Sequence, residues 1–234
     1  MQYNAILFDL DGTLLPMDYD EFSRGYFHLL TKTVAPYGYE PKPFLAAMMQ
    51  GVEAMVKNNG ASKNATVFWK VFASILGEKI RELEPVLDKF YETEFHKAKA
   101  LTGKNTLAKE AVMLAREKAD KVVLATNPLF PASAIRSRLS WIGLAPDAFD
   151  LVTDYESIGF CKPNPAYFTK IAETLNTSPD QCLMIDNNTK EDMIASHKAG
   201  MDGYLVTDCL IAEEPAPDCP QGSFVDLIEY LKNL

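Results

Sequence analysis

The chain has 234 residues, 47% of them hydrophobic, and a formal net charge of −9. That apolar content supports a buried core, either in one large domain or in a core with an inserted module. The acidic balance and the absence of basic clusters argue against a broad nucleic-acid-binding surface, and no apolar run nears the roughly 18 residues of a membrane span. Asn4 to Phe8 is a short apolar run of the kind that becomes a buried parallel strand. Asp9 and Asp11 follow two residues apart, so in extended chain both carboxylates project from one side. Gly12 then gives the backbone freedom for a sharp exit.

From Asp20 to about Phe95 the pattern is helix after helix. Phe22, Tyr26, Leu29 and Leu30 form one apolar face, and Phe44, Ala47, Met48, Val52 and Met55 another. Phe68, Val71, Phe72 and Ile75 continue it, then Val86, Phe90 and Phe95, with Pro36-Tyr37-Gly38 and Asn58-Asn59-Gly60 as breaks. Met48, Met49, Met55, Phe68, Trp69 and Phe72 are candidates for an organic pocket, although at helical spacing they read first as helical core. Arg24, Lys63 and Lys70 are possible contacts to a substrate anion.

Beyond Leu107 the text changes to alternating helix and strand. A helix near Thr106 to Lys118 leads to a strand at Lys121 to Ala125, ending in Thr126-Asn127-Pro128. A hydroxyl and free amides at a strand end suit phosphate oxygens; a plain turn is the alternative. Phe149 to Thr153 reads as the next strand. Lys162 then lies just ahead of a helix that Asn164 caps and Pro165 starts, with Phe168, Ile171 and Leu175 as its apolar stripe. Further strands are expected at Cys182 to Ile185 and Tyr204 to Val206, and a last helix at Phe224 to Leu234. The alternation argues for a parallel sheet covered by helices on both faces. In such sheets ligands bind at the carboxyl ends of the strands, where Asp9 and Asp11 fall. One carboxylate there can attack phosphorus, and a second can carry the proton of the leaving oxygen. Two acids would repel a phosphate ester without a cation, which magnesium could supply. The alternative is a turn that merely leaves the strand, with or without structural calcium.

The cysteines at 161, 182, 209 and 219 show no Cys-x-x-Cys spacing, so they read as incidental thiols of a reduced, cytoplasmic protein. Cys161 beside Lys162 invites a lowered thiol pKa, but a passive neighbour is the simpler reading. Met1-Gln2-Tyr3-Asn4 has no basic region ahead of the first strand, so no signal peptide is expected. His28, His96 and His197 are scattered on helices and do not read as ligands. The sequons at Asn64, Asn176 and Asn187 carry no weight without secretion.

Four segments in order, Asp9-Leu10-Asp11-Gly12-Thr13, Thr126-Asn127, Lys162-Pro163 and Asp186-Asn187-Asn188 with Glu191-Asp192, resemble the haloacid dehalogenase superfamily. The resemblance implies a Rossmann-like core of residues 1–16 and 100–234, with an all-α cap domain of residues 17–99 that closes over the site and selects substrate. It also implies Asp9 as nucleophile and metal ligand, Asp11 as acid/base with its carbonyl on Mg2+, and Thr126, Asn127 and Lys162 on the phosphoryl group. The superfamily's haloalkanoic acid dehalogenases lack a carboxylate at the position of Asp11, which favours phosphate chemistry. The fourth segment departs from the family pattern. Laid on one version of it, Asn188 takes the place of a metal-binding aspartate; on another Asn187 does, and Asp186 is the carboxylate at hand. Asn188 is the favoured equivalent, Asp186 follows, and Asp192 is expected to act through outer contacts or water. The implied activity is a magnesium-dependent phosphatase for a small phosphorylated metabolite, acting as monomer or homodimer. A phosphomutase of the same fold, or a catalytically weakened ligand-binding or regulatory member, is the alternative.

Overall fold

A computed structural model describes residues 2–214 and 218–234. Its centre is a parallel sheet of β1 (Ala5–Phe8), β2 (Lys121–Leu124), β3 (Leu151–Val152), β4 (Cys182–Asp186), β5 (Asp202–Val206) and β6 (Gln221–Gly222). The strands run in the order β3-β2-β1-β4-β5-β6. Phe8 is level with Leu124 on one side and with Ile185 on the other, so β2, β1 and β4 end together. The order reverses at β1, which makes the carboxyl end of that strand the switch point where doubly wound sheets bind ligands.

Strand alternation sorts the core into two layers. Ile6 and Phe8 of β1 pack with Leu183 and Ile185 of β4 toward α5 (Ala108–Lys118), α6 (Ala132–Trp141) and α9 (Phe224–Asn233). Ala5 and Leu7 face the other way with Val123 and Met184, onto α7 (Pro165–Leu175) and α8 (Ala195–Lys198). Helices therefore cover both faces, as the alternating sequence implied. Asn164 accepts from the Ala166 N–H at 3.0 Å and Pro165 opens α7, so this cap and start are as read from the sequence. Helix α6 has no equivalent among the expected elements, and β3 and β6 are only two residues each.

Between β1 and α5 the chain makes α1 (Tyr19–Val34), α2 (Pro41–Val56), α3 (Asn64–Leu76) and α4 (Glu84–Glu92), joined by short turns. Asp18 caps α1 by accepting from the Glu21 N–H at 2.8 Å. Phe22 and Tyr26 of α1 pack against Phe95 and Trp141 in an aromatic cluster, and the Tyr26 and Tyr91 hydroxyls pair at 2.8 Å in its interior. The chain enters and leaves this helical stretch at one point. Met17 and Thr102 form an antiparallel bridge, and the Gly103 N–H donates to the Pro16 carbonyl at 2.7 Å. Gly103 fits there because a Cβ would lie 2.9 Å from that of Pro16. The helices are also tied to the sheet side through Asn64, fully buried at the start of α3. Its amide donates to the carbonyls of Pro128 and Phe160 and to the Cys161 sulfur, while its backbone N–H donates to Ile158. Among the described residues no helix is long and apolar enough to cross a membrane.

Candidate active site

Asp9 immediately follows the last paired residue of β1, and its N–H donates to the Ile185 carbonyl at 3.0 Å. Asp186 is the last residue of the neighbouring strand, one beyond the expected end of β4. Lys162, from the loop ahead of α7, enters between them and is only 2% exposed. Its ammonium donates to Asp9 Oδ1 at 2.8 Å and to Asp186 Oδ2 at 3.1 Å, and Asp192 Oδ1 approaches it to 2.5 Å. Burial alone would lower the Lys162 pKa, but Asp192, Asp9 and Asp186 together raise it well above the ordinary lysine value. Burial pushes the Asp9 carboxyl up to about 8, helped by the Asp186 charge and opposed by Lys162. Asp192 is likewise raised by burial and then by Asp186. Asp192 thus touches the lysine directly, a contact made through Lys162 rather than with Asp9 itself.

The other members of the fourth segment have structural tasks. Asn188 Oδ1 accepts from the N–H groups of Lys190 and Glu191 at 3.0 Å each, capping the π-type helical turn Thr189–Ile194. The amide oxygen favoured for a cation is therefore committed to a cap, because a residue leaving a strand for a helical turn must satisfy the first free N–H groups. Asn187 accepts from the Thr13 hydroxyl at 3.1 Å and donates to Cys209. It also sets the approach of Gly12, where a Cβ would lie 2.4 Å from Asn187 Nδ2 and φ is +88°. That leaves Asp186 as the carboxylate of this segment that faces Asp9 across Lys162. Its Oδ1 accepts from the N–H groups of Asn187 and Asn188, so the group is held in one orientation.

Asp11 is reached from the opposite side. Arg138 of α6, with no exposed surface, pairs through Nη1 with Asp11 Oδ2 and stacks on Phe130 with its guanidinium carbon 4.4 Å from the ring centre. Asp11 Oδ1 is buried and has no hydrogen-bond partner among the described residues. The Tyr19 hydroxyl at the start of α1 donates to the Asp11 carbonyl. Neither Arg138 nor Tyr19 was singled out in the sequence. A signal for the arginine existed: Ala134, Ile135, Leu139 and Ile142 form a helical apolar stripe, and position 138 falls inside it. Thr126 is buried just past β2, where its carbonyl accepts from Thr153 and Tyr167 hydroxyls at 2.7 and 2.9 Å. Asn127 reaches Glu191 at 3.5 Å, and its Oδ1 is buried without a partner among the described residues.

Four carboxylates, Asp9, Asp11, Asp186 and Asp192, thus face two cations, Lys162 and Arg138. A divalent cation fits this excess charge, and the donors are hard oxygens of the type magnesium takes. Among the described residues no three His, Cys, Asp or Glu side chains form a closed metal cage. Two carboxylates and a carbonyl suit an ion that keeps waters and takes substrate oxygens. Cys161 accepts the Asn64 amide at 3.2 Å, and burial pushes its thiol up to about 12, as a passive neighbour. His96 accepts from the Trp141 indole at 2.9 Å, a structural contact.

The fold and site define a doubly wound α/β protein with an acid-rich centre at its switch point. A family model described as haloacid dehalogenase-like hydrolase matches residues 3–200, and the chain belongs to that family. It is 24% identical to pyrophosphatase PpaX of Bacillus cereus strain B4264 over 100% of this chain and 99% of the relative. Among solved structures it shares its fold with a 2-haloacid dehalogenase from Pseudomonas syringae pv. tomato DC3000, with a TM-score of 0.65 and 16% identity over 99% of this chain and 98% of that one. A HAD phosphatase from Thermococcus onnurineus has the same fold, with a TM-score of 0.61 and 18% identity over 97% of both chains.

Proposed function

We propose that this hydrolase is a magnesium-dependent phosphatase that cleaves a small organic phosphomonoester through an aspartyl-phosphate on Asp9. The observation that carries the reading is the division of labour between two carboxylates. Lys162 holds Oδ1 of Asp9 beside the strand ends, while Arg138 takes Oδ2 of Asp11 and leaves Oδ1 unpaired. Asp9 attacks phosphorus as the bond to the leaving oxygen breaks. Asp11 gives that oxygen a proton through its free Oδ1, and later takes one from the water that hydrolyses the aspartyl-phosphate. Thr126, Asn127 and Lys162 hold the phosphoryl oxygens, with the buried lysine as the cation among them.

Asp9, Asp186 and the carbonyl of Asp11 would hold the magnesium ion; a carbonyl has two lone pairs, so the Tyr19 hydroxyl does not exhaust this one. When bound, the ion offsets the charge shared by carboxylates and phosphate. Residues 17–99 act as the cap domain over residues 1–16 and 100–234, shielding the acyl phosphate from water. Four free cysteines and the absence of a membrane-length helix among the described residues support a cytoplasmic setting.

The test is phosphate release from a generic aryl phosphate with magnesium and with chelator, in the wild type and in Asp9→Asn. Magnesium-dependent release that the substitution abolishes is expected. Release that survives in Asp9→Asn would remove the covalent mechanism, and release unaffected by chelator would remove the metal.

A further inference from the structure

The leaving group of a phosphomonoester must sit next to the residue that protonates it, and a cavity opens there. It has a volume of about 400 Å3, begins at Asp11, and runs between α1, α2, α3, α4 and the loops carrying Phe130 and Tyr155. Eleven of its lining side chains are aromatic, Phe44, Phe68, Trp69 and Tyr155 among them. Its charged lining residues are Asp11, Glu84, Asp88 and Glu156, all acidic; among the described residues no lysine, arginine or histidine contributes to the wall. The candidate cations Arg24, Lys63 and Lys70 therefore lie outside it. Five of the six aromatic and methionine candidates line it; Met55 does not. The two arginines that stack on its aromatic walls are occupied, Arg138 with Asp11 and Arg81 with Glu78 and Glu84.

Resting on the phosphatase reading above, we infer that the substrate is a monoester whose organic part is apolar and ring-sized and carries no second anionic group. A carboxylate or second phosphate placed beyond Asp11 would lose water without gaining a cation, and would meet the acidic side chains of Glu84, Asp88 and Glu156. An aromatic ring or branched hydrocarbon would exchange water for aromatic walls, which favours it in proportion to the area buried. Volume agrees with this division, since a space of this size is that of an organic ligand pocket. The chemistry also separates this chain from its pyrophosphatase relative. The group that departs from pyrophosphate is itself a multiply charged anion, and this cavity has nothing to receive one.

The experiment compares kcat/KM in magnesium for 2-phenylethyl phosphate, ethyl phosphate, phosphoglycolate and pyrophosphate. The first two have alkyl leaving groups of similar intrinsic reactivity, so their ratio reads the cavity rather than the chemistry. The phenylethyl ester is expected to exceed the ethyl ester by about tenfold or more, the scale on which apolar pockets discriminate, and phosphoglycolate and pyrophosphate, whose departing groups are themselves anionic, to fall below ethyl. Trp69→Ala is expected to lower kcat/KM for the phenylethyl ester by a larger factor than for the ethyl ester, so that the phenylethyl-to-ethyl ratio falls. Because the wild-type ratio alone decides, a misfolded Trp69→Ala protein would not rescue the idea. Equal turnover of the phenylethyl and ethyl esters, or preference for phosphoglycolate or pyrophosphate, overturns the inference and leaves the phosphatase standing. No release from any of the four overturns both.

Discussion

Replacing Lys162 by methionine isolates the electrostatic centre of this fold, because the chain length is nearly kept and only the charge is lost. The ammonium is 2% exposed and lies 2.8, 3.1 and 2.5 Å from Asp9, Asp186 and Asp192. Without it three buried carboxylates face one another with no cation between them. Removing one partner of a buried pair costs about 3–5 kcal/mol, most of it the penalty on the charges left behind. With a urea slope of about 3 kcal/mol per molar, the top of the usual range for small proteins, this lowers the unfolding midpoint by roughly 1–2 M. Urea titrations followed by tryptophan fluorescence and by circular dichroism, in the presence of chelator, measure the shift and check that both probes coincide. Adding Asp192→Asn to Lys162→Met removes one of the stranded charges and is expected to recover part of the loss. A midpoint shift below about 0.3 M in the single variant, at an unchanged slope, would show that the carboxylates are not held by this lysine, and the reasoning would fail.

Three more outcomes follow from the same geometry. Arg138→Lys keeps the charge but not the planar fork that pairs with Asp11 while stacking on Phe130; a loss of about 1–3 kcal/mol in chemical denaturation is expected, with little rescue relative to Arg138→Met. Gly12→Ala combines a positive φ with a Cβ 2.4 Å from the Asn187 amide, and is expected to cost about 1–3 kcal/mol and to lower phosphate release by shifting the backbone between Asp11 and Thr13. Glu156 is pushed up to about 7, chiefly by burial. The fold therefore favours its neutral form, and stability present below the unfolded glutamate value of about 4.3 is lost as pH rises through about 7. Glu156→Gln, which keeps an acceptor for the Ala132 N–H, should raise the melting temperature at about pH 8.5 and leave it nearly unchanged at about pH 4.

What could be read in the sequence was set by how local each signal is. Strands β1, β2 and β4 are continuous apolar runs ending in a polar residue, and such runs are buried on both faces wherever they fall. Asn164-Pro165 announces α7 because capping involves only neighbouring residues. Asp9, Asp11 and Lys162 were legible for the same reason, each lying at the edge of a recognisable element. The choice among Asp186, Asn187 and Asn188 was not, since β4 runs one residue further than its apolar run and so turns Asp186 inward. Which amide then caps and which clamps depends on the turn that follows and on Thr13 from a distant loop. Arg138 escaped because its partner is 127 residues away, and only three-dimensional proximity gives it a role. The cavity was half visible: the apolar positions were recognised, but spacing along a helix does not say whether two faces meet or stand apart.

The backbone bridge between Met17 and Thr102 has a consequence for how this chain can change over evolutionary time. Because the chain departs from the sheet and returns to it at adjacent backbone positions, everything from Asp18 to Leu101 forms an excursion whose two ends already touch. A shorter, longer or wholly different excursion could be spliced at that neck while β1 and α5 keep their places. On the function proposed above, the chemistry would stay with the sheet while the choice of what is admitted to it travelled with an exchangeable piece. Divergence is then expected to run fastest between those two residues, with Asn64 among the positions inside the excursion whose contacts reach back to the sheet-side loops.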